Sequence, residues 1–131
     1  MSGIIGLISV SAATPGAGPI VTNGAQDNGT TRITLLTPGS GKKIRVLGVS
    51  ITNTSSTGGL MGVYFGTGAA ITTNRDKIVL NAVVDLDKAQ EARIVFPDGA
   101  GPIGGVDDVL SFNSAVNAGG GVEVVAHTRE E

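Results

Sequence analysis

Few side chains in this sequence have a type and spacing that could do chemistry. His127 is the single histidine, and the chain has no cysteine. One imidazole cannot form a histidine-based metal site or a two-histidine acid–base pair within one chain. No G-x-S-x-G nucleophile elbow accompanies the serines and aspartates. We therefore expect no enzyme activity, and we expect His127 to lie at a surface or an interface.

Two glycine-rich stretches partly match phosphate-binding motifs. Residues 39–43 read Gly-Ser-Gly-Lys-Lys, without the first glycine of a P-loop and with Lys43 where Ser or Thr must hold magnesium. Gly99, Gly101 and Gly104 match G-x-G-x-x-G, but the residues that follow have no helical pattern. Both motifs bind phosphate at a helix N-terminus. Both stretches are therefore predicted to be loops, and no cofactor is expected.

Close carboxylate pairs occur at Asp85 with Asp87 and at Asp107 with Asp108. Calcium could use such groups together with loop carbonyls, but the EF-hand spacing and its terminal Glu are missing. Solvated turns are the default interpretation, and no metal is expected.

The composition argues against nucleic acid and against a membrane span. Nine Lys and Arg against eleven Asp and Glu give a net charge of -2, which provides no basic field for a phosphate backbone. The apolar run near the N-terminus is too short to cross a bilayer, and no basic leader precedes it. With 131 residues, three Phe, one Tyr and no Trp, the chain predicts one domain with an aliphatic core that partners would help to stabilise.

The stretch Lys42–Asn53 is the strongest strand signal. Its apolar side chains occupy the even face at Ile44 and Val46, and then the odd face at Leu47, Val49 and Ile51. The change of face near Gly48 predicts a bulge or bend where the chain passes from one sheet to a second.

Short strand patterns separated by Gly, Pro and Asn clusters follow along the chain. Asn23-Gly24 and Asn28-Gly29 are turn signals before them. This pattern predicts an all-β sandwich or barrel. The further strands are predicted at residues 30–36, 60–65, 78–86, 93–96, 109–112 and 122–128. Residues 78–86 also fit a helical stripe, but their β-branched residues favour a strand.

Residues 1–29 are predicted to form an extended N-terminal arm. No charged side chain occurs from Met1 to Gln26, and the aliphatic content is unlike that of a solvated disordered tail. The arm should therefore lie against something, either its own sheet or a neighbouring subunit, and the sequence leaves both open. The residues expected to contact a subunit or a shell are Ile4, Ile5, Leu7, Ile8 and Val10.

Five stretches together resemble small jelly-roll proteins of tailed-bacteriophage virions, with the capsid decoration, or cement, protein as the nearest role. The resemblance implies a jelly-roll β-sandwich at residues 30–131 and a non-enzymatic homotrimer at the capsid surface. It further implies binding to the major capsid protein at three-fold or quasi-three-fold positions of the shell. The stretches are Gly41–Ile51, Gly62–Gly68, Val95–Gly99, Asp108–Asn113 and Gly120–His127.

Two other classes of protein use a similar fold. A tail-fibre or tail-tip domain would bind a host-surface glycan through the loops at residues 54–59 and 97–105, although neither loop carries the aromatic side chains that glycan sites usually expose. A cupin-type enzyme would need clustered histidines, which a single histidine cannot provide.

Overall fold

The described part of the chain folds into eight β-strands. The computed structural model describes residues 19–27, 30–55, 57–67, 77–84, 91–115 and 121–131. The described part contains no helix of the length and hydropathy that a membrane crossing requires. The strands are β1 (Ile20–Asp27), β2 (Ile33–Leu36), β3 (Ile44–Asn53), β4 (Gly59–Phe65), β5 (Ile78–Val84), β6 (Glu91–Val95), β7 (Leu110–Ser114) and β8 (Val122–Glu130).

The strands form two antiparallel sheets of four. Sheet A has the order β1-β8-β3-β6, and sheet B has the order β2-β7-β4-β5. The pairing is nested, because the first strand pairs with the last, the second with the seventh, the third with the sixth, and the fourth with the fifth. Nested pairs that alternate between two facing sheets make a jelly roll. The predicted all-β, jelly-roll-like sandwich is confirmed.

The core lies between the two sheets and is mainly aliphatic, as the shortage of aromatic residues requires. The aromatic side chains that are buried, Tyr64, Phe65 and Phe112, lie on β4 and β7, the inner strands of sheet B. Each large apolar side chain removed from water contributes about 1.5–3 kcal/mol to folding. The fully buried aliphatic side chains include Ile44, Val46, Ile51, Met61, Val63, Val84, Leu110, Val122 and Val124.

Strand β3 confirms the predicted change of face at Gly48 but not the predicted change of sheet. Val46 and Val49 are both buried, and the pairing register with β8 shifts between Val46 and Gly48. Leu47 is the extra residue of this β-bulge, which reverses the side that the strand turns inward. Because β3 stays paired with β8 from Ile44 to Asn53, it remains in sheet A. The expected passage to a second sheet was wrong, since the bulge alone accounts for the change of face.

Part of the predicted arm, Ile20–Asp27, forms the edge strand β1 on this chain's own sheet. The turn predicted at Asn23-Gly24 was wrong, because both residues lie within β1 and Gly24 pairs with Val125 of β8. An Asn-Gly pair favours a turn only weakly compared with the hydrogen bonds that the edge of β8 offers to an extended chain. The five aliphatic residues expected to make the arm contact lie outside the described residues: Ile4, Ile5, Leu7, Ile8 and Val10.

Candidate interaction surface

The outer face of sheet A combines exposed apolar side chains with a glycine. The strand registers place Thr22, His127, Gly48 and Val95 side by side across β1, β8, β3 and β6. Side chains alternate between the two faces of a strand, so these four residues share the face that points away from the core. Val95 is 72% exposed there, and Ile20, one row further along β1, is 55% exposed.

A shallow depression of about 320 Å³ lies at this point, and we call it the Gly48 groove. A second depression of about 160 Å³ continues it along β3 and β6 toward Arg93. Gly48 forms the floor, and a Cβ added to it would stand 3.3 Å from the carbonyl oxygen of Ile94. Because Gly48 has no side chain, nothing projects from the floor into the groove. The residues that line the Gly48 groove are Ile20, Leu47, Gly48, Val95, Phe96, Asp98 and His127.

His127 lies on the rim of the groove, exposed, as the sequence predicts for a lone histidine. Its Nδ1 is 2.8 Å from the Thr22 hydroxyl, and the tautomer decides which of the two atoms donates the hydrogen bond. Among the residues that the structure describes, no cluster of His, Asp or Glu could hold a metal ion. The rim therefore offers a polar anchoring point beside the apolar wall of the groove.

The polar end of the groove is an ion pair between Asp98 and Arg129. The Arg129 Nη1 donates to both Asp98 carboxylate oxygens, at 2.6 and 2.8 Å. Arg129 is only 5% exposed, and among the described residues its Nε has no hydrogen-bond partner. Because the Asp98 charge is already paired, an apolar ligand could cover it without leaving a lone buried carboxylate.

A second ion pair, between Arg45 and Glu131, holds the glycine-rich loop at residues 97–105 against β3. Arg45 donates to both carboxylate oxygens of Glu131, and its Nη1 donates to the carbonyl oxygens of Gly99 and Gly101 at 3.0 and 2.9 Å. The hydrogen bond from Arg45 lowers the pKa of the Glu131 carboxyl, and the same bond raises the pKa of Arg45. Arg45 thus fastens the loop and the last strand to one another.

The glycines of this loop have structural roles, as predicted. Gly99 has a φ of +83°, which favours glycine. A Cβ on Gly101 would stand 1.8 Å from the Val46 carbonyl oxygen, and one on Gly104 would stand 2.6 Å from the Phe65 ring. No helix opens after Gly104, so the dinucleotide-binding geometry is missing from this loop.

The remaining candidate motifs are turns where the structure describes them. The stretch at residues 39–43 leads directly into β3, and the Gly41 N–H donates to Asp107 at 2.7 Å. Asp108 accepts from the Gly105 N–H at 3.0 Å and pairs with Lys77 at 3.3 Å. Asp85 and Asp87 lie outside the described residues.

The two loops considered for glycan binding are folded onto the domain. Thr54 donates through its N–H and its hydroxyl to the Gly121 carbonyl oxygen, at 2.7 and 2.9 Å. Beside the loop at residues 97–105 lies a depression of about 190 Å³, where the charges of Lys77 and Asp108 are paired with each other. Neither loop presents an aromatic side chain.

The sequence alone missed the Gly48 groove. Leu47 was expected on the buried odd face, but it is the bulge residue and is half-buried on the outside. Ile20 lies in the predicted arm, for which docking on the chain's own sheet was one of two open alternatives, so its position beside Gly48 could not be assigned. The signal that could have located the groove was Gly48 itself, a glycine without a turn in the middle of a strand, which marks a bulge or a close approach.

No protein-family profile and no curated protein matches the sequence. Among solved structures, the fold is similar to a chain of the virus-like particle of extra small virus from the giant freshwater prawn Macrobrachium rosenbergii. The identity is 11% and the TM-score 0.40, over 97% of this chain and 87% of that one. It is also similar to a chain of infectious bursal disease virus, Gx strain, at 13% identity and a TM-score of 0.32, over 94% of this chain and 36% of the other. Both similarities are remote, and the jelly-roll topology rests on the strand pairing of this chain.

Proposed function

We propose that this chain is a non-enzymatic structural protein of a virus particle, a decoration protein that binds the outer surface of the capsid as a trimer. Its partner on the shell is the major capsid protein. The role follows from the sequence resemblance to decoration proteins, and the Gly48 groove is the structural observation that carries it. An exposed apolar depression on an otherwise polar sheet face is typical of a protein-binding surface.

The chemistry of the described residues supports a binding role over a catalytic one. The ionisable groups around the groove and the glycine-rich loop are engaged in ion pairs: Asp98 with Arg129, and Arg45 with Glu131. Such pairs fix loops and strand ends, and His127, the remaining ionisable residue that lines the groove, is hydrogen-bonded to Thr22. In the glycine motif that resembles a dinucleotide site, Gly101 packs against the backbone of Val46 and Gly104 packs against the ring of Phe65.

A trimer on a lattice has a physical advantage for this chain. A sandwich whose core has few aromatic side chains gains stability when it buries further aliphatic surface between subunits. A protein that binds only the assembled shell also stabilises that shell by mass action. We place the contact with a neighbour or with the shell in the N-terminal segment, at Ile4, Ile5, Leu7, Ile8 and Val10.

Co-sedimentation with expanded shells, isolated from the virus that encodes the chain, tests this role. The full chain is expected to pellet with the shells and to saturate at three copies for each three-fold position. A chain lacking residues 1–12 is expected to remain in the supernatant, since the aliphatic contact is gone. A matched variant, Val106→Ser, removes an exposed apolar side chain from a loop away from the groove and should bind like the full chain. If the shortened chain binds as well as the full chain, the segment is not the contact.

A further inference from the structure

The Gly48 groove is open at the point where the described chain begins. Ile20, the first residue of β1, is part of the groove wall, so residues 1–19 join the domain at its rim. We propose that the groove binds the aliphatic segment Ile4–Val10 of a neighbouring copy of this chain. The inference rests on the proposed trimer and names the contact between its subunits.

The segment and the groove match in chemistry. Ile4–Val10 contains five aliphatic side chains, two small residues and no charge. The groove offers the side chains of Ile20, Leu47, Val95 and Phe96. Burying apolar surface against apolar surface is the main favourable contribution to such an association. Asp98 at the polar end is already held by Arg129, so docking of the segment leaves no carboxylate without a partner.

The dimensions also match. The groove crosses the strands of sheet A, which lie about 4.8 Å apart, so its length from β1 to β6 is about 14 Å. An extended chain rises about 3.3 Å per residue, so four or five residues of the segment would fill that length. Gly48 at the floor and the small residues Gly6 and Ser9 in the segment allow the two backbones to approach closely.

A neighbouring copy is favoured over the chain's own segment by the connector at residues 11–19. Pro15 and Pro19 disfavour helical conformations at the residues before them, so the sequence favours an extended connector. Nine extended residues reach about 30 Å, and a domain of this size has a radius of gyration of roughly 14 Å. The connector can therefore place the segment on the next domain. Docking on the same domain would require a reversal, for which Pro15-Gly16 is the available turn.

Disulfide trapping can test the inference, because the chain has no cysteine of its own. Ile5→Cys, Leu7→Cys or Val10→Cys is co-expressed with Val95→Cys on a second, differently tagged copy, and the mixture is oxidised mildly. A bridge forms only where the two Cβ atoms come within about 4.5 Å. We expect at least one of the three arm positions to give a disulfide-linked pair of differently tagged chains in high yield. The control is Val83→Cys, which lies on sheet B and is 65% exposed, close to the 72% of Val95.

Three outcomes would overturn the inference. They are the absence of a linked pair at every arm position, an equal yield with Val83→Cys, and a bridge confined to one chain when both cysteines are placed in it. The last outcome would assign the groove to the chain's own segment. Shell binding is measured separately by co-sedimentation, so linked pairs that ignore shells would keep this contact and refute the decoration role. Shell binding without linked pairs would keep the decoration role and refute this contact.

Discussion

Gly101 is the position at which a single methyl group should disturb this fold most clearly. A Cβ added there would stand 1.8 Å from the Val46 carbonyl oxygen and 3.2 Å from the Phe96 Cβ. The first of these neighbours is backbone in the middle of sheet A, so it cannot rotate away as a side chain would. In Gly101→Ala, the loop at residues 97–105 must therefore lift off β3.

The cost of this movement has two parts. Forcing an extra carbon into a packed site costs about 1–3 kcal/mol. The displaced loop also weakens two hydrogen bonds, from the Val46 N–H to the Pro102 oxygen and from Arg45 to the Gly101 oxygen, both at 2.9 Å. Each contributes about 1 kcal/mol net. The free energy of unfolding should therefore fall by about 3–5 kcal/mol, a large part of the total for a domain of this size.

Urea unfolding followed by circular dichroism measures the change. The matched control is Gly39→Ala, whose added Cβ would have its nearest neighbour at an ordinary 3.5 Å from the Glu130 carboxylate. The control should stay within about 0.5 kcal/mol of the unmodified chain, as surface substitutions usually do. If Gly101→Ala is as stable as Gly39→Ala, the loop does not pack on β3 as described, and the structural role of the glycine motif is refuted.

Three further predictions concern the ion pair, the buried phenol and the core. Because the Arg45 hydrogen bond holds the pKa of Glu131 below its ordinary 4.5, the pair should stabilise the fold above about pH 4.5. That contribution is lost as the pH falls through the lowered pKa of Glu131. The difference in the free energy of unfolding between the unmodified chain and Glu131→Gln should therefore disappear in acid, and a difference that does not change with pH contradicts this. Burial raises the pKa of Tyr64 above 10, so tyrosinate absorbance should appear at higher pH in the folded chain than in urea, and coincident titrations would show an accessible phenol. Met61→Ala, in the core, should lower the free energy of unfolding in urea by about 2–5 kcal/mol, whereas Val83→Ala, at the surface, should lower it little. Equal losses would show that Met61 is not part of the core.

The sequence was sufficient to predict the class of fold and most of its strands. The spacing of apolar residues located β3, because side chains of a strand point alternately to its two faces. Short apolar runs bounded by Gly, Pro and Asn clusters located other strands, such as β4 and β8. The switch at Gly48 correctly predicted the bulge. It did not reveal that β3 stays in sheet A, since a change of buried face has the same pattern whether the strand changes sheet or only gains a residue.

The groove could not be predicted, because it depends on which strands become neighbours. Ile20, Gly48 and Val95 are far apart in sequence, and only the nested pairing of the jelly roll brings them to one face. The turn predicted at Asn23-Gly24 failed for a related reason: pairing with the edge of β8 overrides the local turn preference of these two residues. The predicted contact residues from Ile4 to Val10 lie outside the described residues and stay a prediction.

The most direct test of the decoration role is the mass of the purified chain, measured by light scattering behind a sizing column, with and without expanded shells. Without shells, the proposal predicts a particle of three times the 13.0 kDa chain mass. When shells are added, the peak of this particle should shrink and the protein should elute with the shells. A 13.0 kDa monomer whose peak is unchanged by the shells would contradict it.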